Sequence, residues 1–265
     1  MPYQRAISTL GCAEMNLSKV FALAALHGLD AIEIRALQGT LDLPVHLERH
    51  YGTPSALAQR IRSAGGRIAA FSTSLQLAGH TTADREKFLE FIPWAEALGV
   101  RWLRVFDGNC RADTPGAAEA IATMHWWQDL RRQCGWRVDC MVETHDALFD
   151  STQINRFMSA VPFASILWDS HHTWKRCGED PVATWRAIGP HVVHVHVKDS
   201  ISQPSEHHPF TYVLPGVGEF PMAPLVRILR REFAGTMSLE WERLWHPYLP
   251  PLETALQAAT AAAWW

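Results

Sequence analysis

At 265 residues the chain is long enough to bury a large core and matches the roughly 250 residues of one α/β barrel. Hydrophobic residues make up 48% and charged residues 19%, which excludes a disordered chain, and no apolar run reaches the ~18–20 residues needed to span a bilayer. A net charge of -3 without any block of Lys and Arg offers no footprint for a phosphate backbone, so neither a nucleic-acid nor a membrane partner is expected.

The opening MPYQRAISTL lacks the basic, apolar, small-residue order of a secretory signal, and the five cysteines are scattered and odd in number. A cytoplasmic protein without a disulfide framework is the expectation. Eight short segments rich in β-formers then recur along the chain. AISTL (6–10) leads into the helical LSKVFALAALHG, and AIEIR (31–35) leads through a long loop (36–52) into PSALAQRIRSAGG. RIAAFS (67–72) precedes DREKFLEFIPWAEALG, and WLRVF, VDCMVE and SILWD follow. VVHVHVKD (192–199) opens a second long loop (199–221), after which come APLVRILRREFAG and TMSLEWE (236–242). The intervening stretches carry apolar residues at three- and four-residue spacing, as helices lying on a sheet do. Thr53-Pro54, Thr114-Pro115 and Asp180-Pro181 each set a capping side chain before a proline suited to the first helical turn, and Gly28, Gly65, Gly99 and Gly235 stand where left-handed caps are expected.

Eight strand-then-helix units fit a closed barrel or an open doubly wound sheet. The first strand is followed by GCAEMN and not by a glycine-rich dinucleotide turn, so the sequence predicts a single-domain (β/α)8 TIM barrel over 1–265, with both long loops overhanging the C-terminal rim. Strands five to eight each close on an ionisable side chain: Glu143, Asp169, His196 and Glu240. In a barrel these converge near the axis, and three carboxylates placed together raise one another's pKa unless a cation neutralises them. One imidazole with three carboxylates suits a hard to borderline dication: Mn²⁺ first, with Mg²⁺, Co²⁺ or Zn²⁺ as options.

WDSHH with Asp169 and His172, HVHVKD with His196, LPGVGEFP (214–221), SLEWE and IEIR together resemble the xylose isomerase-like barrel superfamily of sugar isomerases and epimerases, inosose dehydratases and family 2 endonucleases. The resemblance covers essentially the whole chain. It implies that Glu143, Asp169, His196 and Glu240 bind metal and that His172 contacts substrate or a further metal. After HVKD comes SISQPSEHH, without the arginine that ketose 3-epimerases place there, so their substrate contacts do not transfer.

Strand alternation sets His194, His196 and Lys198 opposite Val193, Val195 and Val197. Lys198 then reaches the mouth, either to hold a substrate oxygen or to pair with a carboxylate, while His194 lies one layer deeper as a hydrogen-bonded core histidine. Glu33, Arg35 and Arg104 form an internal ion-pair layer in this reading, with Arg35 and His145 as further candidate substrate contacts. Among twelve tryptophans, Trp126, Trp127, Trp168 and Trp174 are candidates to wall a pocket, although most tryptophans read as core or interface. His207 and His208 lie in the long seventh loop, which reads as a lid or a dimer contact.

The expected activity is isomerisation or epimerisation of a small sugar-like hydroxy-ketone through a metal-stabilised enediolate, with Glu143 and Glu240 as base and acid. An inosose-type dehydratase is the first rival. A non-catalytic sugar-binding barrel is the second, and an endonuclease, which needs more histidines and a basic surface, is the third. Homodimerisation stays open.

Overall fold

The computed structural model describes residues 3–265. The described residues form ten strands and eleven α-helices. The strands are β1 (Gln4–Ser8), β2 (Ala31–Ile34), β3 (Ile68–Gln76), β4 (Trp102–Phe106), β5 (Asp139–Glu143), β6 (Ser165–Asp169), β7 (Val192–Val197), β8 (Asp199–Ile201), β9 (Thr211–Val213) and β10 (Thr236–Leu239). The helices are α1 (Leu17–Leu26), α2 (Leu43–Tyr51), α3 (Pro54–Ser63), α4 (Thr82–Leu89), α5 (Ile92–Leu98), α6 (Pro115–Cys134), α7 (Ser151–Ala160), α8 (Ser170–Cys177), α9 (Pro181–Ile188), α10 (Met222–Glu232) and α11 (Leu252–Ala261). Eight strands close in the order β1-β10-β7-β6-β5-β4-β3-β2, every pair parallel, giving the (β/α)8 barrel that the sequence predicts.

Amphipathic helices supply the outer layer. On α10 the residues Leu225, Val226, Ile228 and Leu229 are buried and join the main core with Val195 and Val197 of β7. Helix entry follows the capping chemistry at two of three sites: Thr53 accepts from the Ala56 amide and Asp180 from the Ala183 amide. At Thr114 the hydroxyl donates instead to the Arg111 carbonyl (2.6 Å), so this helix starts without a side-chain cap. Gly28, Gly65 and Gly99 adopt positive φ. Gly235 does not; α10 ends at Glu232 with Phe233 as its cap, and a Cβ at Gly235 would collide with the Val193 carbonyl and the Phe233 ring, so that glycine serves close packing and not a left-handed cap.

Strand alternation also fails at one point. The register of β6 on β7 shifts between Ile166 and Leu167, so Val193 packs with Ala70, Met141 and Leu167 on the barrel floor instead of sharing the outer face of Val195 and Val197.

Both long loops contain structure of their own. The first carries α2. The second folds as the antiparallel β8-β9 hairpin, then the LPGVGEFP turn, in which Asp199 accepts from the amides of Ser200, Gly216, Gly218 and Phe220 at 2.9–3.0 Å. A Cβ at Gly218 would strike the Asp199 carboxylate and the Ser200 carbonyl, which is why the turn has glycine there. Among the described residues no helix is long and apolar enough to cross a membrane, and all five cysteines are free.

Candidate metal centre and substrate cavity

β5, β6 and β7, together with the residue after β10, bring Glu143, Asp169, His196 and Glu240 to one point at the C-terminal rim. One ligand atom from each lies within 4.8 Å of the others, and all four residues are buried. Three buried polar atoms of this set, Glu143 Oε2, Asp169 Oδ2 and His196 Nδ1, make no well-formed hydrogen bond, although Arg104 and Lys198 stand within ion-pair distance of the two carboxylates. Lone pairs left over in such a place are what a dication takes up, so the donor set fits the metal that the sequence implies.

The surrounding charges respond to the crowding. Burial alone would favour protonated carboxyls, but His196 and Lys198 outweigh it and hold Glu240 well below the usual carboxylate range. Glu143 is likewise lowered, because burial is outweighed by the Arg104 guanidinium, 3.2 Å away, and by His196. Asp169 is the exception: burial pushes it up to about 6 despite the Lys198 ammonium at 2.8 Å. His196, buried between Glu240 and Glu33, is held well above the ordinary histidine value because these carboxylates overcome its desolvation.

The two ring nitrogens of His196 have different partners. Nε2 lies 2.9 Å from Glu33 Oε2, while Nδ1 faces Glu240 Oε2 (3.2 Å) and Glu143 Oε1 (3.4 Å). Glu33 also approaches His194 Nε2 (3.2 Å) and accepts from the Ser72 hydroxyl (2.6 Å). Glu33 accepts from Nε2–H and keeps the proton on that nitrogen, so Nδ1 is the nitrogen whose lone pair would serve a cation that displaces its proton. The sequence reading of an ion-pair layer needs correcting here. Glu33 pairs with the histidines and Arg104 with Glu143, and Arg35 joins neither.

His194 lies deeper, bonded to Ser238 Oγ at 2.7 Å, as expected of a core histidine. The Lys198 ammonium is enclosed by three carboxylates, Glu240 Oε2 and Glu242 Oε1 at 2.6 Å and Asp169 Oδ2 at 2.8 Å. Glu242 went unnoticed in sequence, though it sits two residues beyond Glu240 on the same alternation. Asp107 went unnoticed too. It closes strand β4 in the same way as the ligands close theirs, but accepts from the backbone amides of residues 145 to 148 (2.7–3.0 Å) and so anchors the loop after β5. Its oxygens are committed to these amides, which sets it apart from the four candidate ligands despite its closeness to His145 and Asp146.

A cavity of about 160 Å³ opens over the cluster, lined by Arg35, Glu143, His145, His172, Lys198 and Glu240, with Trp245 at its wall. His172 Nδ1 lies 3.1 Å from the Thr144 carbonyl, which can only accept, so Nδ1 carries the proton and Nε2 is the basic nitrogen. Burial and the neighbouring Lys198 hold His172 well below the ordinary histidine value, hence neutral. His145 meets it edge-to-face at 5.0 Å; burial opposes its charge, but Asp146 and Glu143 raise it to about 9. Trp127 and Trp168 are buried in the core, while Trp126 takes Arg85 on its face and Trp174 packs on His171; none of the four lines this cavity. His208 stacks on Phe210 in the hairpin loop. A larger hollow of about 670 Å³ lies at the opposite barrel end, beside Gln4, Ile68 and Thr236. Its size does not make it the reactive site, because the buried donors all converge on the other rim.

The family model described as "Xylose isomerase-like TIM barrel" matches residues 21–265. Among solved structures, the probable 3-DHS dehydratase AsbF, involved in petrobactin synthesis, from Bacillus anthracis is 18% identical, with TM-score 0.78, covering 98% of this chain and 99% of that one. The IOLI protein with a binding zinc atom is 19% identical, with TM-score 0.74, covering 98% and 96%. An AP endonuclease, family 2, from Brucella melitensis is 15% identical, with TM-score 0.68, covering 99% and 98%. At these identities the likeness establishes the fold. No curated protein sequence matches the chain.

Proposed function

Given that the chain belongs to the xylose isomerase-like TIM barrel family, we propose that it is a divalent-metal-dependent enzyme that moves a proton at the carbon next to the carbonyl of a small hydroxy-ketone. The observation that carries this reading is the meeting of Glu143, Asp169, His196 and Glu240 within 4.8 Å beneath a small cavity. The bound zinc atom of the IOLI protein supports a dication on this fold. Mn²⁺ remains the preferred ion, because three carboxylate donors are harder than a typical zinc set. Such an ion, when bound, supplies Lewis-acid stabilisation for negative charge developing on the substrate oxygens.

The chain's own groups divide the remaining work. Glu143 and Glu240 are unprotonated at neutral pH, so either carboxylate can take the carbon-bound proton. Return of that proton to the opposite face of the same carbon epimerises it, and return to the neighbouring carbon isomerises the substrate. Lys198 keeps Glu242 as its partner once Asp169 and Glu240 are committed elsewhere, and its remaining donors serve a substrate oxygen.

Dehydration is the second reading, and one observation favours it. His145, carrying a proton at neutral pH, faces the same cavity as the neutral His172, an acid and a base side by side. His145 would give its proton to a departing β-hydroxyl, releasing water and leaving a carbon–carbon double bond. Solvent deuterium uptake into a ketose panel by the Mn²⁺-loaded enzyme, compared with E143Q and E240Q, tests the main reading. Exchange that disappears in either variant supports it, and exchange undiminished in both would reject the carboxylates as proton carriers. Release of an unsaturated ketone from the same panel would favour dehydration.

A further inference from the structure

Arg35 is the one charged group of the cavity whose side chain does not reach a partner of opposite sign. It is 6% exposed, and no carboxylate lies within ion-pair distance of it among the described residues. Its single side-chain hydrogen bond is a long one, from Nη1 to the Ser72 carbonyl at 3.4 Å. Its backbone amide is tied to Thr9 Oγ1 at 2.9 Å, so the residue is held in place while most of its five N–H donors are not used. The other cations around the cavity each keep a carboxylate, Arg104 with Glu143 at 3.2 Å and Lys198 with Glu242 at 2.6 Å, even when Asp169 and Glu240 turn to a metal.

Burial and Arg104 oppose the Arg35 charge, with both guanidinium groups near the Phe106 ring (Arg104 Cζ at 3.8 Å and Arg35 Cζ at 6.0 Å), while Glu143, Glu240 and Glu33 offset it only from beyond ion-pair distance and are each engaged by other partners. A stability role does not account for it. What does is a ligand that brings the missing charge.

On the metal-enzyme reading above, we propose that the hydroxy-ketone substrate carries a carboxylate, and that Arg35 binds it opposite the cation cluster. One free cation calls for one negative charge, which matches a carboxylate and not a phosphate dianion. The planar two-pronged fork of the guanidinium fits the two carboxylate oxygens. The substrate class is therefore a small polyhydroxy keto-acid, gripped at one end by its oxygens on the metal and at the other by Arg35. A neutral ketose would leave the guanidinium without a counter-charge.

Shikimate and its methyl ester share one polyhydroxy ring and differ in charge, so they serve as probes. Their dissociation constants are measured by calorimetry on the full chain, with and without Mn²⁺, for wild type and R35M. Shikimate should bind about tenfold or more tightly than the ester, and R35M should erase that preference while leaving ester affinity within about twofold. Equal affinities in wild type, or a loss in R35M shared by acid and ester, overturn the proposal. Failure of Mn²⁺ to bind wild type would instead sink the metal reading, and the acid-to-ester ratio without metal would still decide the role of Arg35. Thermal unfolding separates a structural role: R35M should keep or raise the melting temperature, whereas a drop as large as that of R104M overturns the assignment.

Discussion

Replacing Glu33 with Gln removes a charge that lies outside the Glu143–Asp169–His196–Glu240 set, yet it should weaken metal binding there. The Glu33 carboxylate accepts from His196 Nε2 at 2.9 Å, from His194 at 3.2 Å and from Ser72 at 2.6 Å, in a fully buried setting. Gln keeps the shape and can still offer a carbonyl oxygen to Nε2, but the bond loses its charge assistance and His196 becomes a less basic ligand. Outer-shell changes of this kind cost about 10–100-fold in metal affinity, or about 1.4–2.7 kcal/mol. Competition against a chromogenic chelator, with Mn²⁺ and Zn²⁺ at pH 7.5, measures the effect directly. Histidine ring nitrogen shifts of the metal-free protein should show His196 protonated on both nitrogens in wild type and a smaller protonated share in E33Q. An affinity within twofold of wild type would refute the argument that Glu33 sets the ligand tautomer, whatever happens to stability.

Metal affinity should also climb with pH. Asp169, raised to about 6, holds a proton below that value, and His196, raised well above its ordinary value, holds one across the neutral range, so the cation must displace protons. Calorimetry in buffers of different ionisation enthalpy should record proton release near pH 7 and more of it below pH 6; a pH-independent affinity from 5 to 8 contradicts this. Stability without metal runs the other way at Asp169: a carboxyl with a raised folded-state pKa favours folding below its unfolded value, and that contribution is lost as pH rises through about 6. R104M, which strands the buried Glu143 carboxylate, should destabilise by about 3–5 kcal/mol in urea unfolding. D107A frees four backbone amides of the loop after β5, and faster amide exchange across residues 145–148 is expected, with Glu143 exchange unaffected. If the dehydration reading holds, turnover should fall as pH rises through about 9, where His145 loses its proton, and H145F should abolish that limb.

Much of the barrel was legible in the chain, because period-two and period-3.6 patterning, caps and chain length are local properties that repeat eight times. The meeting of Glu143, Asp169, His196 and Glu240 was legible for a related reason: parallel strands deliver their C-terminal residues to one rim, so an ionisable residue at the end of each apolar run already specifies convergence. Pairing was not legible. Glu33 meeting His196 across 163 positions, Arg104 taking Glu143, and Asp107 spending its carboxylate on backbone amides depend on shear, on side-chain reach and on bulges such as the one that turns Val193 onto the barrel floor. Sequence marked Arg35, at the end of β2, as a candidate substrate contact and Arg104, across β3 on β4, as part of an ion-pair layer, but it could not say which of the two finds a carboxylate. Charge type is written in the residue, but whether a buried charge has a partner is decided by three-dimensional distance, and here that decision leaves Arg35 facing the cavity.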